Sequence, residues 1–140
     1  MIFKVLYNIT NEIAEFRKEV FVLEQHIDIN EEFNCDENER IHCCCFLDDM
    51  LVAYVRMNKI YNGVGHIDRV AVKKEYRNKG YGKAIVSYAE QVAKSFSCNI
   101  IDVHAQIQVC SFYEKLGYMR YGTEFIEVER PHIKMIKEIR

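Results

Sequence analysis

Arg77-Asn78-Lys79-Gly80-Tyr81-Gly82 stands between an apolar run and a helical pattern, with Lys73, Lys74 and Lys83 nearby and only Glu75 opposing their charge. Gly80 and Gly82 lack the Cβ that blocks close approach of a backbone, so the stretch can turn with several N–H groups aimed into one concavity. A nest of that kind at a helix start binds phosphate oxygens, helped by the positive end of the helix dipole. A diphosphate ligand fits. A Walker A loop does not, because position 77 is Arg where glycine is needed and Ala84 follows Lys83 where the magnesium-binding hydroxyl belongs. A dinucleotide fingerprint fails too: Ile85 occupies the third glycine position, and Gly63 and Gly65 precede a strand instead of following one. The competing reading is a tight turn with a solvated basic rim.

The elements around this loop follow from hydrophobic periodicity. Residues 3–7 read as a strand, and Asn8 or Thr10 then caps a helix whose apolar face is Ile13, Phe16, Val20 and Leu23. The acidic stretch after Glu24 reads as a loop or a short irregular helix. Residues 41–47 and 51–57 flank Asp48, Asp49 and Met50 as an antiparallel hairpin. A strand at 65–72, a helix at 82–95 bearing Ile85, Tyr88, Ala89 and Val92 on one face, and a strand at 99–105 form a crossover, which implies a parallel pair. A short helix from Ile107 to Leu116 is stopped by Gly117 at C′, and strands near 118–128 and 131–138 close the chain. The expected fold class is α/β, a mixed and mostly antiparallel sheet with one central parallel pair and flanking helices.

At 140 residues and 49% hydrophobic composition the chain is long enough for one domain with a real core, residues 1–140, and too short to suggest two. Its net charge of −2 argues against a general nucleic-acid footprint. Seven carboxylates (Glu24, Asp28, Glu31, Glu32, Asp36, Glu37, Glu39) crowd into residues 24–39 without Lys or Arg, leaving the remainder net basic. No leader and no apolar run of about 20 residues is present. A cytoplasmic protein without membrane contact is expected. Of the six cysteines, Cys35, Cys98 and Cys110 stand apart, and Cys43, Cys44 and Cys45 are adjacent. The triplet has the wrong spacing for a tetrahedral zinc site, even with His42. Alternation along a strand makes it a set of small buried side chains, and no metal is expected.

Residues 69–86, "RVAVKKEYRNKGYGKAIV", resemble the acetyl-coenzyme A signature of the GNAT N-acetyltransferases, whose R/Q-x-x-G-x-G/A hexapeptide is matched in full by Arg77 to Gly82. Residues 105–118, "AQIQVCSFYEKLGY", resemble the family's second signature, with Gln106 and Val109 where Asn and Ala are usual. Order and spacing also fit, so the resemblance covers nearly the whole chain. "VFVLEQ" (20–25) and "PHIKM" (131–135) further resemble a bacterial branch of ElaA-like and YjcF-like proteins. The resemblance implies acetyl-coenzyme A as cosubstrate, held in a cleft where strands 65–72 and 99–105 splay. It implies pantetheine contacts from the main chain of Val70, Ala71 and Val72. The pyrophosphate would lie on Arg77, Asn78, Lys79, Gly80, Tyr81, Gly82 and Lys83, with a further contact from Gln106.

Acetyl transfer needs a neutral amine, donors for a developing oxyanion, and a proton for the departing thiolate. Tyr113 is the expected acid. Val109, Phe112 and Leu116 form the core stripe of its helix and leave Tyr113 on the edge, able to face the cleft. The competing role is a core-edge tyrosine. His66 aligns with a glutamate base of the histone-acetylating branch and titrates in a useful range. His104, Glu24 and Asp68 are further base candidates, a water relay is open, and His42 and His132 look structural. The acceptor is then a primary amine of a small molecule or peptide, and a 24–39 segment lying over its mouth would favour cationic amines. A homodimer is compatible with the sequence. Two other readings compete: a non-catalytic acyl-coenzyme A sensor on the same fold, and a nucleic-acid binder using the 73–83 basic run. The second lacks interleaved exposed aromatics.

Overall fold

The structure, a computed structural model, describes residues 1–33 and 37–140. Cys35, Asp36 and the Glu39 side chain lie outside the described part. Seven strands form one sheet: β1 (Ile2–Leu6), β2 (Ile41–Leu47), β3 (Met50–Tyr61), β4 (Val64–Val72), β5 (Ile100–Gln106), β6 (Met119–Glu127) and β7 (Arg130–Glu138), in the order β1-β2-β3-β4-β5-β7-β6. Only β4 and β5 are parallel. The connection between them is α3 (Tyr81–Ser95), the crossover that a parallel pair requires. The expected mixed sheet and its parallel centre are present.

Three hairpins turn on two residues, Asp48–Asp49, Asn62–Gly63 and Val128–Glu129, all with positive φ. That conformation matches the twist of the flanking strands. The Asn62–Gly63 turn carries β3 on to Tyr61, well past the expected end at 57, because Lys59, Ile60 and Tyr61 keep pairing with β4.

α3 and α4 (Cys110–Lys115) cover one face, where Ile85, Ala89 and Val92 join Cys43, Cys45, Ile67 and Ile101. α1 (Asn11–Arg17), capped by the Thr10 hydroxyl on the Ile13 amide (3.1 Å), covers part of the other face, where Ile13 and Phe16 meet Cys44, Tyr54 and Ala71. The cysteine triplet thus alternates between two cores. Burial pushes the Cys43 and Cys44 thiols up to about 12. Leu23 departs from expectation: it is 70% exposed. After α1 the chain loosens into π-helical turns (Lys18–Glu24), and the wider turn shifts the apolar phase so that Val20 and Phe21 are buried while Leu23 rotates outward.

A closed ring of alternating charges ties α1 and the acidic segment to the sheet. Arg17 meets Glu32 (2.6 Å) and Glu37 (2.7 Å), and Arg56 meets Glu37 (2.8 Å) and Asp68 (2.7 Å). Arg69 closes the ring, 2.8 Å from Glu32 and 3.6 Å from Asp68. Its Nε–H is not aimed at the Glu32 oxygen, so that link is electrostatic rather than a hydrogen bond. Removing one member strands the others in low dielectric. Arg17→Met keeps volume but leaves Glu32 and Glu37 without their fully buried partner, so stability should fall by about 3–5 kcal/mol. Urea denaturation of both proteins measures this, and an unchanged midpoint would show that the ring contributes no stability.

Candidate active site

The β4–β5 ladder pairs only Val64 to Ile67 with Ile100 to Val103. Beyond it β4 carries a bulge against β3: two steps along β3, Tyr54 to Arg56, span three along β4, Ala71 to Asp68. Arg69, inside this bulge, has φ of 55°. A bulge bends its strand and increases local twist, and here it carries residues 68–72 away from β5. The strands splay as expected. The gap opens into a cavity of about 480 Å³ on the α1 side of the sheet, in the part that α1 does not cover, lined by His66, Val70, Gln106, Tyr113 and Arg130 among others. Tyr113 belongs to α4, on the opposite face. It reaches the same cavity as His66 because the sheet is open between them.

On the helix side of the gap lies the glycine loop. Gly80 has φ of 90° and Asn78 of 61°, the left-handed conformations that fold the loop back onto α3. Gly82 is favoured for a different reason: a Cβ there would lie 3.1 Å from the Phe112 ring, close enough that the ring would have to give by a few tenths of an ångström. The helix ladder begins with the Ala84 amide on the Gly80 carbonyl (3.0 Å), and no side chain caps the end. The amides of Tyr81, Gly82 and Lys83 therefore precede the first helical bond and face outward. Lys79 and Lys83 are exposed, and Lys79 lies 5.8 Å from the Tyr76 ring centre.

Arg77 differs from its expected role as a free cation of the loop. Its Nε donates to the Val72 carbonyl (2.9 Å), and its guanidinium pairs with both oxygens of Glu24, holding that carboxyl below its usual range. The side chain braces the loop and leaves only its main chain for a ligand. The Lys73 amide bonds to the Val52 carbonyl (2.8 Å). Ladder alternation then turns the Val72 amide and carbonyl toward the gap. Arg77 occupies the carbonyl, and the amide remains.

His66 and Asp102 are register partners across the parallel pair, and the His66 Nδ1–H donates to Asp102 Oδ1 at 2.6 Å. Burial disfavours the imidazolium, but the hydrogen bond and charge of Asp102, with Asp68 and Glu127, outweigh it and raise the His66 pKa. The His104 ring lies edge-on to His66 at 4.9 Å and donates from Nδ1 to Glu127 (3.0 Å). The other two base candidates are spent in ion pairs. Asp68 is held by two nitrogens of Arg56 (2.8 and 2.7 Å), and Glu24 is held by Arg77. His42 is structural, as expected: fully buried, it donates from Nε2 to the Glu37 carbonyl (2.8 Å) and accepts the Tyr54 hydroxyl at Nδ1. His132 donates from Nδ1 to the Arg130 carbonyl (2.8 Å) and also lines the cavity.

The expected stripe of α4 is rotated. Val109 is 41% exposed, while Cys110 and Tyr113 are the buried side chains of this turn. A single 3-10 turn at Ile107–Val109 precedes the helix and shifts its phase. Tyr113, 5% exposed, packs edge-on against Phe112 and Tyr118 at 5.0 and 5.6 Å. It is a core residue whose surface also meets the cavity. Among the described residues none hydrogen-bonds its hydroxyl, and burial raises its pKa, keeping it protonated. Gln106 ends β5, and its side-chain oxygen accepts from Gln108 (2.6 Å).

The acidic segment lies beside the cavity, contributing Gln25, Ile27, Glu31 and Glu32 to its wall. Part of its charge is paired: Glu24, Glu32 and Glu37 are bound by arginines, and Asp28 caps α2 (Ile29–Glu32) through the Asn30 amide (2.8 Å), while Glu31 lines the cavity wall. Asp102 and Arg130 were not singled out from the sequence. The parallel register would have found Asp102, opposite His66, whereas nothing local marks Arg130. Among the described residues no His, Cys, Asp or Glu group is placed to hold a metal ion, and no helix is long and apolar enough to cross a membrane.

Known proteins share this architecture. The N-acetyltransferase YjcF of Bacillus subtilis, an uncharacterized protein, is 32% identical over 123 residues, 87% of either chain. Escherichia coli ElaA superposes with a TM-score of 0.84 at 23% identity, covering 99% of this chain and 100% of its own. An aminoglycoside 6′-N-acetyltransferase complexed with coenzyme A gives 0.82 at 18% identity, covering 100% and 98%. The sequence profile of the Acetyltransferase (GNAT) family matches residues 5–118, and with the splayed strands and the glycine loop in place the chain belongs to that family and is an acyltransferase.

Proposed function

We propose that this chain, acting as one catalytic domain, transfers the acetyl group of acetyl-coenzyme A to a primary amine of a small molecule or peptide by direct attack in a ternary complex. The observation that carries the reading is the gap between β4 and β5, through which a side chain of the helix face, Tyr113, and one of the open face, His66, border a single cavity. Coenzyme A is bound by the aminoglycoside acetyltransferase of similar fold. On this chain the outward amides of Tyr81, Gly82 and Lys83 and the turn at Asn78 to Gly80 would take the pyrophosphate. The main chain of Val70, Ala71 and Val72 would take the pantetheine arm, and Gln106 would border it. Lys79 and Lys83 would supply charge without fixed geometry.

Each chemical role then falls to a group already oriented. With its Nδ1 proton committed to Asp102, neutral His66 carries its lone pair on Nε2, toward which an ammonium can deliver a proton. A strand amide freed by the bulge faces the position where oxyanion charge would develop. The Tyr113 hydroxyl, protonated and without a protein partner, can donate to the departing sulfur.

Three measurements test this reading. Gly80→Val forces a β-branched residue into the left-handed region, at a cost of roughly 1–2 kcal/mol. If the loop relaxes to relieve that strain, acetyl-coenzyme A affinity should drop by about tenfold in calorimetry. Unchanged affinity in a folded variant would reject the loop as the site. Since the surrounding Asp102, Asp68 and Glu127 raise the His66 pKa, against burial and beside His104 and Lys134, kcat/KM should rise with pH through a limb above 6.5. Asp102→Asn should move that limb to lower pH and depress its plateau; a limb that stays in place would exclude His66 as the base. Tyr113→Phe keeps the ring and its packing, so acetyl-coenzyme A affinity should hold while kcat falls by about 10²-fold to 10⁴-fold. A chemistry-limited kcat equal to wild type would return Tyr113 to the core alone.

A further inference from the structure

We infer that the acceptor carries an anionic group, a carboxylate or a phosphate, in addition to its amine, and that the Arg130 guanidinium grips it. This rests on the reading of the cavity as the acceptor site. Arg56 and Arg69 are neutralised within the charge ring, and Lys134 stands 3.6 Å from Asp102. Arg130 differs: among the described residues no carboxylate comes within ion-pairing distance of it. Its contacts are to Gln25 alone, from one terminal nitrogen to the main-chain carbonyl and from the other, weakly, to the side-chain oxygen (3.5 Å). A half-buried guanidinium without a counter-ion loses hydration and gains little in return. A bidentate anion would supply what is missing, and the planar fork suits carboxylate and phosphate alike.

The local structure holds Arg130 ready for such a ligand. It follows the tight Val128–Glu129 turn and precedes Pro131, whose ring restricts the backbone, and its carbonyl is taken by His132 Nδ1 (2.8 Å). Gln25 fixes one end of the guanidinium from a different segment, so less side-chain freedom remains to be lost on binding. The amine end has its own environment. His66, backed by Asp102, and the Glu127 carboxylate beside His104 line the same cavity and favour an ammonium before it is deprotonated. The wall is therefore two-signed, with Arg130 supplying positive charge and Glu127, its ladder partner across the turn, part of the negative. Amino acids and phosphorylated amino sugars have the corresponding chemistry, and simple polyamines do not.

Thiol release from acetyl-coenzyme A can be followed with matched acceptor pairs: amino acids against their amides, and amino-sugar phosphates against the free amino sugars. The anionic member of at least one pair should have the higher kcat/KM, by about tenfold to a hundredfold and chiefly through KM, as expected for one charged hydrogen-bonded contact. The pair showing the preference identifies carboxylate or phosphate as the anion. Arg130→Ala should collapse that ratio toward one, and Arg130→Lys, which keeps the charge and loses the fork, should give an intermediate value. The inference is overturned if neutral members are used as well as anionic ones, if no anionic member is turned over, or if Arg130→Ala lowers both members equally. Failure of the underlying transferase reading would be seen separately, as loss of specific acetyl-coenzyme A binding at the loop or as no turnover with any amine, neutral ones included.

Discussion

The hydrogen-bonded ladder between β4 and β5 stops at Ile67 and Val103, and the rest of the site is arranged around that end. A parallel pair at the centre of a sheet would ordinarily continue, since each unpaired buried amide and carbonyl costs free energy. Here an extra residue in β4 bends the strand away, with Arg69 in a left-handed conformation that costs about 1–2 kcal/mol for a side chain of its kind. The freed backbone groups are not left idle. Arg77 takes the Val72 carbonyl, and the remaining amides border the gap. A sheet that is a closed wall elsewhere becomes, at this point, a passage between its two faces.

Arg69 holds its strained conformation because the charge ring over-determines it. Its guanidinium lies among Glu32, Asp68 and the main-chain carbonyls of residues 31 and 32. The ring therefore links the bulge to α1 through Arg17 and to β3 through Arg56. The two glutamates respond differently to the same partners. Burial dominates at Glu32 and raises its pKa despite Arg69 and Arg17. At Glu37 burial acts in the same direction, but Arg17 and Arg56 prevail and hold it low. A network of this kind contributes less to net stability than its contacts suggest, since well-packed apolar groups could replace it. What it adds is register: only one placement of the acidic segment matches each carboxylate to its arginine.

That dependence explains which features were legible in the sequence. The glycine loop could be read because its proposed function lies in the backbone of six consecutive residues, and glycine spacing reports backbone directly. The cysteine triplet was legible because strand alternation is local. Leu23 and the α4 stripe were misread for a shared reason: a π-helical segment at Lys18–Glu24 and a 3-10 turn at Ile107–Val109 each change the residues per turn, and a 3.6-residue template carries the phase error forward. Charge counted along the chain showed the carboxylates of the acidic segment but not the arginine partners that α1, β3 and β4 bring to Glu32 and Glu37. The Asn62–Gly63 turn was readable as a hairpin signal and would have placed the end of β3 correctly. Asp102 needed the parallel register, a tertiary fact.

The two halves of the site consequently obey different rules of change. On the proposed reading, diphosphate recognition by amides asks for small residues at 80 and 82, an open helix start and room beside Phe112, and tolerates many side chains around them. The proposed acceptor cavity is lined by side chains from β4, β5, β7 and the segment after Glu24, brought together from distant parts of the chain. The Glu24–Arg77 pair is a firm side-chain link between that segment and the loop. Gln25, next in sequence, is also the residue that holds Arg130. A ligand that drew Arg130 inward would pull on Gln25, and through the adjacent Glu24 on the bracing of the loop. On the proposed reading of the two sites, residues 24–25 form one short peptide through which occupancy of the acceptor cavity and the shape of the glycine loop would act on each other.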